Sequence, residues 1–229
     1  MQHFSHDPAL LDRFPDLRVG ARILTLTSAL FPEALDPTPH LDRARARLDR
    51  APESEFTSIR AWRAAYAAMG FKPTQYRSAA EALLRRLRID GALPNLHPVI
   101  DFGNAVSAAH GIPLAIFDLG RITGNLTVTF ARGDEAFESF GGAQEPPEAG
   151  EVIYRDDTGE AHARRWVHRQ GQRSAFSPAT RQALLVAEAL HPGADADVDA
   201  MMSELERAFT AAGASLRQEL RWDGTCPAP

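Results

Sequence analysis

The chain has 229 residues, 44% of them hydrophobic, which is enough for a substantial core and argues against a disordered chain. Its formal net charge is −5 and Lys72 is its only lysine, so no overall positive field attracts nucleic acid and any RNA contact must be local. Cys226 is the only cysteine, which excludes an intramolecular disulfide framework and a cysteine metal cluster and fits a reducing cytoplasm.

The N-terminal residues 1–17 have no basic segment followed by an apolar one. No run in the chain approaches the ~18 apolar residues that a membrane span needs. We therefore expect a soluble protein that is not exported and has no membrane partner. An opening strand is predicted within 17–30, and residues 38–51 form an arginine-rich surface helix.

Two further helices precede the middle of the chain. Residues 55–70 carry apolar side chains at every third or fourth position, which predicts a helix with one buried face that ends at Gly70. These apolar residues are Phe56, Ile59, Trp62, Tyr66 and Met69. In residues 78–88, Ser78 and Glu81 stand at the spacing of a capping box, which predicts a helix that begins there.

Residues 97–120 predict a helix, a glycine stop and a short buried strand. At 100° per residue, one side of the helix carries Val99, Phe102, Val106 and Ala109, and the other carries Asp101 and Asn104. The polar side also holds Ile100, Ala105 and Ala108. It is therefore either a solvated face or a second covered face that lines a pocket.

Beyond residue 110, short β-branched or aromatic segments separated by Gly, Pro and Asp predict a half rich in sheet. The segments are 113–119, 124–132, 135–141, 150–156 and 161–169. Residues 177–190 fit either a helix that begins at Ser177 and Pro178 or a buried strand. An amphipathic helix is predicted over 195–213, followed by a polar tail, 222–229. Since no linker or repeat divides the chain, one α+β domain over 1–229 is expected.

A resemblance to a known family rests on eighteen positions in the middle of the chain. They match the pattern D-x-T-N-Y-V followed by G-Q-P-x-H-A-F-D, without a gap, at Asp101, Asn104, Val106, Gly111, Pro113, Phe117 and Asp118. The pattern resembles the B3/B4 editing domain in the β subunit of bacterial phenylalanyl-tRNA synthetase. The stretches 55–87, 93–107, 150–157 and 164–170 are similar to small free-standing B3/B4 proteins, so the resemblance covers about 53–190.

This resemblance implies a compact α+β domain with a mixed sheet, flanking helices and a central cleft. In the family, the domain hydrolyses the ester that joins tyrosine to phenylalanine tRNA. A positioned water attacks the ester, so neither a covalent nucleophile nor a cofactor is needed. The chain lacks aminoacylation motifs and is not expected to charge tRNA. The resemblance also favours the buried strand over 180–189.

Three departures from the family bear on its substrate. Gly103 replaces a threonine, Ala115 replaces the pocket histidine, and Val186 aligns near the glutamate that reads tyrosine. A site that loses the polar partner of a hydroxyl also loses its discrimination for that hydroxyl. We therefore expect a smaller or more apolar side chain than that of tyrosine.

The candidate catalytic residues are Asn104 and His97, with Asp101 as a substrate-binding residue. An amide both donates and accepts hydrogen bonds, so Asn104 is suited to position an ester or a water. His97 stands in for the missing histidine, and it is equally placed to cap the helix that Pro98 begins.

The stretch "RRWVHRQ" (164–170) supplies further substrate-binding candidates. Strict alternation places Trp166, His168 and Gln170 on one face. This face either lines the pocket and stacks on the terminal adenosine, or consists of a packed tryptophan with solvated neighbours.

Charged side chains complete the candidate set. Glu55 and Arg60 are either groups at the edge of the cleft that bind substrate or a surface ion pair. Arg85, Arg86 and Arg88 either bind RNA phosphates or form a solvated helix face.

No other chemistry is indicated by the sequence. The eight histidines show no H-E-x-x-H or paired metal spacing, and no phosphate-binding glycine loop occurs, so no metal or cofactor is expected. The main hypothesis is a cytoplasmic aminoacyl-tRNA deacylase that acts in trans on the acylated 3′ end of tRNA. The alternatives are a non-catalytic module that binds an amino acid or aminoacyl-tRNA, and a protein-interaction domain.

Overall fold

The computed structural model describes residues 3–27 and 31–217, which form six α-helices and nine β-strands. The predicted polar tail 222–229 and Cys226 lie outside the described residues. The α+β class expected from the sequence is confirmed, and the strands are divided between two sheets.

Local signals mark the start of α4 and the end of α5 among the six helices. The helices are α1 (Pro8–Arg13), α2 (Thr38–Leu48), α3 (Thr57–Ala68), α4 (Ala79–Asp90), α5 (Pro98–His110) and α6 (Ala194–Ala211). Ser78 caps α4 by accepting a hydrogen bond from the backbone N–H of Glu81 at 3.3 Å. Gly111 ends α5 with a φ of 70°, a left-handed conformation that suits glycine.

The strands form one five-stranded and one four-stranded sheet. They are β1 (Phe4–His6), β2 (Arg18–Thr25), β3 (Leu114–Asp118), β4 (Leu126–Phe130), β5 (Val152–Asp156), β6 (Ala161–Arg164), β7 (Arg169–Gln170), β8 (Gln182–Ala189) and β9 (Ser215–Arg217). The first sheet has the order β1-β4-β5-β6-β7, and the second has the order β3-β8-β2-β9. Only the pairing of β1 with β4 is parallel, so the first sheet is mixed.

Strand β8 separates two parts of the hydrophobic core. Leu185 and Ala187 pack with α5 and α6, whereas Leu184 and Val186 on the opposite face pack with the first sheet and with α3. The two sheets therefore share a core on one side of the second sheet, and helices cover its other side. A third apolar cluster joins α2, α3, α4 and α5.

Helix α5 is covered on both faces. Val99, Phe102 and Val106 pack toward the second sheet and α6, while Ala108 packs among α2, α3 and α4. The second covered face that the small residues allowed is therefore present. Nearly all the stability of such a helix comes from this packing, because isolated helices of this length are marginal in water.

The fold confirms two of the predicted strands, corrects a third and contains one that the sequence did not predict. The expected strand within 17–30 is β2, and the buried strand expected over 180–189 is confirmed as β8. Residues 135–141 form only isolated bridges at Ala136 and Glu138 rather than a strand. Strand β1 was not anticipated, because three residues are too few for a periodic pattern and its pairing partner is β4, more than 100 residues away.

Candidate functional site

A small cavity opens where the turn between β6 and β7 meets the beginning of β3 and the first residue of α4. Its volume is about 60 Å³. It is lined by Ala79, by residues 113–115, by Tyr154 and Ala163, and by residues 166–170. Apolar side chains form its wall, and three consecutive polar residues, His168, Arg169 and Gln170, stand together on its lining.

The chain turns sharply just before these polar residues. Arg165 and Trp166 have left-handed backbone conformations, with φ of 48° and 58°. Such a conformation costs a non-glycine residue about 1–3 kcal/mol, so the surrounding packing must hold it. The Trp166 ring is fully buried and lies edge-on to Trp62 and Phe14, with centroids 4.9 and 5.0 Å apart.

This turn corrects the sequence-based reading of 164–170. The residues do not form one alternating strand, because β6 ends at Arg164 and β7 begins at Arg169. Trp166, His168 and Gln170 nevertheless line the same cavity, and their binding of substrate stays a prediction. The turn between β6 and β7, and not the alternation of a strand, places these side chains at the cavity. Val167, which alternation would place on the opposite face, lines the cavity with them.

A buried carboxylate, Glu188, anchors Trp166. The indole Nε1–H of Trp166 donates to Glu188 Oε1 at 3.0 Å, and His6 Nε2 lies 2.7 Å from the same oxygen. The hydroxyl of Tyr154 donates to Oε2. Glu188 is only 1% exposed, so three polar partners compensate a charge removed from water.

The buried cluster around Glu188 raises the pKa of two tyrosines. Burial and the nearby Glu188 carboxylate raise the pKa of Tyr154 and of Tyr66 well above the usual value, so both phenols are neutral donors. Tyr66 donates to the backbone carbonyl of Arg165 at 3.2 Å and so supports the same turn. Sequence reasoning missed Glu188, although a lone acid within the apolar run "ALLVAEAL" was the available signal.

His168 is a titratable side chain on the cavity lining, and one hydrogen bond fixes its tautomer. Its Nδ1 lies 2.7 Å from the carbonyl oxygen of Arg77, which accepts only from a protonated nitrogen. Nε2 is therefore the nitrogen with a free lone pair in the neutral ring. Burial lowers the pKa of His168 below 6.5, with contributions from neighbouring arginines, so the ring is neutral at pH 7.

Gln170 and His168 each make a further contact beside the cavity. The Gln170 side-chain amide donates to the carbonyl of Ile116 at 2.9 Å and so joins β7 to β3. Tyr76 packs edge-on against the His168 ring with centroids 5.4 Å apart, and the Arg165 guanidinium lies 4.5 Å from the Tyr76 ring centroid. The neutral His168 ring is thus held in place beside an aromatic ring and a cationic group.

A family model, that of the B3/4 domain, matches residues 61–207, well over half of the chain. The chain belongs to the B3/4 domain family. The matched range includes α4, α5, every strand from β3 to β8 and the whole cavity lining.

The B3/4 fold is shared with a synthetase fragment. The structure is similar to an N-terminal fragment of the phenylalanyl-tRNA synthetase β subunit from Pyrococcus horikoshii, with a TM-score of 0.52 and 11% sequence identity. The match covers 94% of this chain and 50% of that fragment, so the chain spans half the length of its structural relative. At this identity the likeness is one of fold. A comparison with curated proteins gives no match.

The departures from the family pattern have structural reasons in this B3/4 domain. A Cβ atom on Gly103 would lie 2.8 Å from Ile116 Cδ1, so a threonine at this position would require the end of the Ile116 side chain to move. Ala115 lines the cavity and is paired with Val186 across β3 and β8. Glu188 lies two residues beyond Val186 on the same face of β8, behind the cavity wall.

Other predicted site residues lie apart from the cavity lining, at the beginning of α5. His97 Nδ1 accepts from the Val99 N–H at 3.2 Å, which is the capping role left open by the sequence, and burial lowers the pKa of His97. Asp101 accepts from the Leu96 N–H at 2.9 Å. Asn104 is partly exposed on α5, and its catalytic role stays a prediction.

The charged candidates are surface residues. Glu55 and Arg60 are exposed, whereas the neighbouring Glu53 is buried and accepts from Arg88 at 2.8 and 3.1 Å. Arg85 and Arg86 are exposed on α4, and Arg86 lies 3.4 Å from Asp90. Arg88 is thus committed to an ion pair, and the role of Arg85 in binding RNA stays a prediction.

Within 3–27 and 31–217, no group of three His, Cys, Asp or Glu side chains is arranged to hold a metal ion. No helix in the same part of the chain has the length and apolar character of a membrane span.

Proposed function

We propose that this B3/4 domain is a free-standing editing protein that hydrolyses the ester of mischarged aminoacyl-tRNA in the cytoplasm. The acyl side chain enters the cavity, and the terminal adenosine remains at the rim near Tyr76. The observation that carries the proposal is His168, a cavity-lining imidazole that is neutral and held in one tautomer by Arg77. Family membership and the fold shared with a phenylalanyl-tRNA synthetase β subunit support a tRNA substrate.

The proposed chemistry uses His168 as a general base and then as a general acid. Nε2 takes a proton from water while the water oxygen bonds to the ester carbonyl carbon. The tetrahedral adduct then collapses, the bond from carbon to the ribose oxygen breaks, and the imidazolium returns its proton to that oxygen. The products are the free amino acid and uncharged tRNA, and the sequence of steps needs no covalent enzyme intermediate or cofactor.

The test is ester hydrolysis by the purified protein on a panel of differently charged tRNAs. His168→Ala should lower the rate by about 100-fold or more, the range for loss of a general base. His3→Ala is the matched control, because His3 is exposed and remote in sequence from the cavity lining. Hydrolysis at the parental rate by His168→Ala would remove the residue from the mechanism.

Asn104→Ala belongs in the same assay. Asn104 lies on α5 apart from the cavity lining, so this variant tests whether the family pattern or the cavity marks the reacting ester. If Asn104 positions the ester or the water, the substitution should reduce hydrolysis about 10-fold or more, equivalent to ~1.4 kcal/mol of transition-state stabilisation. The fold should survive, since the side chain is partly exposed. A parental rate would exclude Asn104 from the reaction.

We further propose that exposed arginines on α4 contact the RNA backbone. Arg85→Ala should weaken tRNA affinity at low salt and have less effect at high salt, where phosphate contacts are already weakened. Arg207→Ala is the matched control on the exposed surface of α6. An equal loss of affinity at every salt concentration would exclude a phosphate contact for Arg85.

A non-catalytic module that binds an amino acid or aminoacyl-tRNA is the second candidate function. It is favoured by one observation, Ala115, which stands on the cavity wall where the family has its histidine. Binding of charged tRNA without hydrolysis of any ester in the panel would establish this alternative.

A further inference from the structure

The size of the cavity limits the acyl group that it can receive. Its volume is about 60 Å³. An apolar protein cavity that binds benzene measures about 150 Å³, so an aromatic ring does not fit here. A side chain of a few carbon atoms is the largest that enters without displacing the wall.

Apart from His168, Arg169 and Gln170, the lining offers no free polar side-chain group to read a hydroxyl. Pro113, Leu114, Ala115 and Val167 are apolar, and the one phenol, Tyr154, is committed to Glu188. The same carboxylate holds the indole N–H of Trp166. Both polar atoms that aromatic residues bring to this wall are therefore already hydrogen-bonded inside the protein.

The carboxylate itself is equally committed. Glu188 is buried behind the wall, and its two oxygens accept from Trp166 and Tyr154, with His6 Nε2 also 2.7 Å from Oε1. A substrate hydroxyl would have to displace a buried donor to reach it. Leaving such a donor unpaired costs about 1–3 kcal/mol, so recognition of a tyrosyl hydroxyl by Glu188 is unfavourable.

From these observations we infer that the cavity selects aminoacyl esters with a small aliphatic side chain, from alanine to valine in size, and rejects aromatic ones. The inference rests on the proposed function and names its substrate class. Ala115 and Val167 are the specificity-determining residues, because both line the cavity and their side chains pack on the same side of the second sheet, Ala115 from β3 and Val167 from the turn between β6 and β7.

The experiment uses one RNA with several acyl groups. A microhelix RNA ending in CCA is charged with alanine, valine, phenylalanine or tyrosine, and hydrolysis by the full chain is followed for each ester. The alanyl and valyl esters should be hydrolysed at least about 10-fold faster than the aromatic ones, since one excess methylene in an apolar pocket is worth about 10-fold or more. Phenylalanyl or tyrosyl hydrolysis as fast as alanyl hydrolysis overturns the inference and leaves the proposed function standing.

Two variants test the residues of the wall. Ala115→Leu should fill the cavity and lower alanyl hydrolysis about 10-fold or more. Val167→Ala should enlarge the cavity and raise phenylalanyl relative to alanyl hydrolysis. Ala200→Leu, an exposed position on α6, is the matched control. Unchanged selectivity in both wall variants, with their folds intact by circular dichroism, overturns the assignment of these residues.

Binding decides the inference if no ester is hydrolysed, an outcome that refutes the proposed function. Alanine and phenylalanine are each joined by an amide to 3′-amino-3′-deoxyadenosine, and binding to the parent protein is measured by calorimetry. Tighter binding of the alanyl compound supports a small aliphatic site. Equal or weaker binding of the alanyl compound overturns it.

Discussion

Glu188 shows how one buried acid supports several functional side chains at once. Its carboxylate accepts from Trp166, whose turn carries His168, and from Tyr154, which forms part of the cavity wall. A buried charge is tolerated only when partners surround it, so these contacts are mutually dependent. The hydrogen bond from Trp166 to Glu188 also holds the left-handed backbone conformation of Trp166, whose φ is 58°.

The first prediction concerns this carboxylate. Glu188→Gln places an amide N–H₂ where the side chain now only accepts, so it cannot satisfy all three partners. We expect the free energy of unfolding to fall by about 2–4 kcal/mol, measured by urea denaturation. Glu55→Gln, on the surface, should change it by less than about 0.5 kcal/mol. Equal stability of the two variants would mean that the buried cluster contributes little.

The second prediction concerns the pH dependence of ester hydrolysis. Burial lowers the pKa of His168 from its usual 6.5, and the neutral ring is the base. The rate should therefore be constant above pH 6.5 and decline only at lower pH, as His168 becomes protonated in the folded enzyme. A pH–rate profile in which His168→Ala still shows the parental acidic decline would assign that decline to another group.

At the scale of elements, α2, α5 and α6 are joined by an ionic cluster around Glu204. Arg43 on α2 donates to both its oxygens at 3.1 and 2.9 Å, and His110 on α5 lies 2.6 Å from Oε2. His40 Nδ1 is 3.1 Å from Oε1. Burial opposes the charge on Glu204, but hydrogen bonds from Arg43 and His110 outweigh it and lower the pKa of Glu204 to about 2.

The third prediction follows from the signs of these pKa shifts. The lowered pKa of Glu204 adds stability that is complete above its usual 4.5 and is lost as the pH falls toward 2. Burial lowers the pKa values of His40 and His110 from 6.5, so their protonation favours the unfolded chain below pH 6.5. Stability should therefore fall first below pH 6.5 and again below 4.5.

Glu204→Gln tests this linkage. It should reduce the free energy of unfolding at pH 7 by about 2 kcal/mol, the scale of hydrogen bonds to a charged group. It should also flatten the decline between pH 4.5 and 2. Glu206→Gln is the control, because Glu206 is an exposed acid on the same helix. A parental pH profile for Glu204→Gln would contradict the prediction.

For the whole molecule, the arrangement of sheets predicts a single folding unit. The parallel strand β1 pairs with β4, and β2 pairs with β8, so the first residues are joined to segments more than 100 positions later. The two sheets also share a hydrophobic core. Each sheet therefore combines a strand from the first 25 residues with strands that lie beyond residue 110.

The fourth prediction is that the chain unfolds in one cooperative transition. Limited proteolysis near residue 90 should not release two folded halves, because cleavage separates β1 and β2 from their partner strands. Coincident unfolding curves from tryptophan fluorescence and circular dichroism provide the second measurement. Two stable fragments, or two separated transitions, would show that the halves fold independently.

The elements that could be predicted from sequence are those whose signals are local. Residue spacing alone predicted three such features. Ser78 caps α4 three residues before Glu81, and Gly111 ends α5, so both act on the adjoining backbone. The apolar residues from Phe56 to Tyr66 lie on one face of α3. The family pattern between Asp101 and Asp118 likewise lies in one continuous stretch, and the family match confirms it.

The site depended on contacts that local patterns do not encode. Glu188 meets Tyr154 from 34 residues away and His6 from 182 residues away, through strands of two different sheets. The turn at Arg165 and Trp166 replaced the alternating strand that spacing favoured, because burial of the indole and its bond to Glu188 hold a backbone conformation that local preference disfavours. Tertiary packing therefore decided which polar residues line the cavity, since sheet register and burial, rather than spacing along the chain, bring them together.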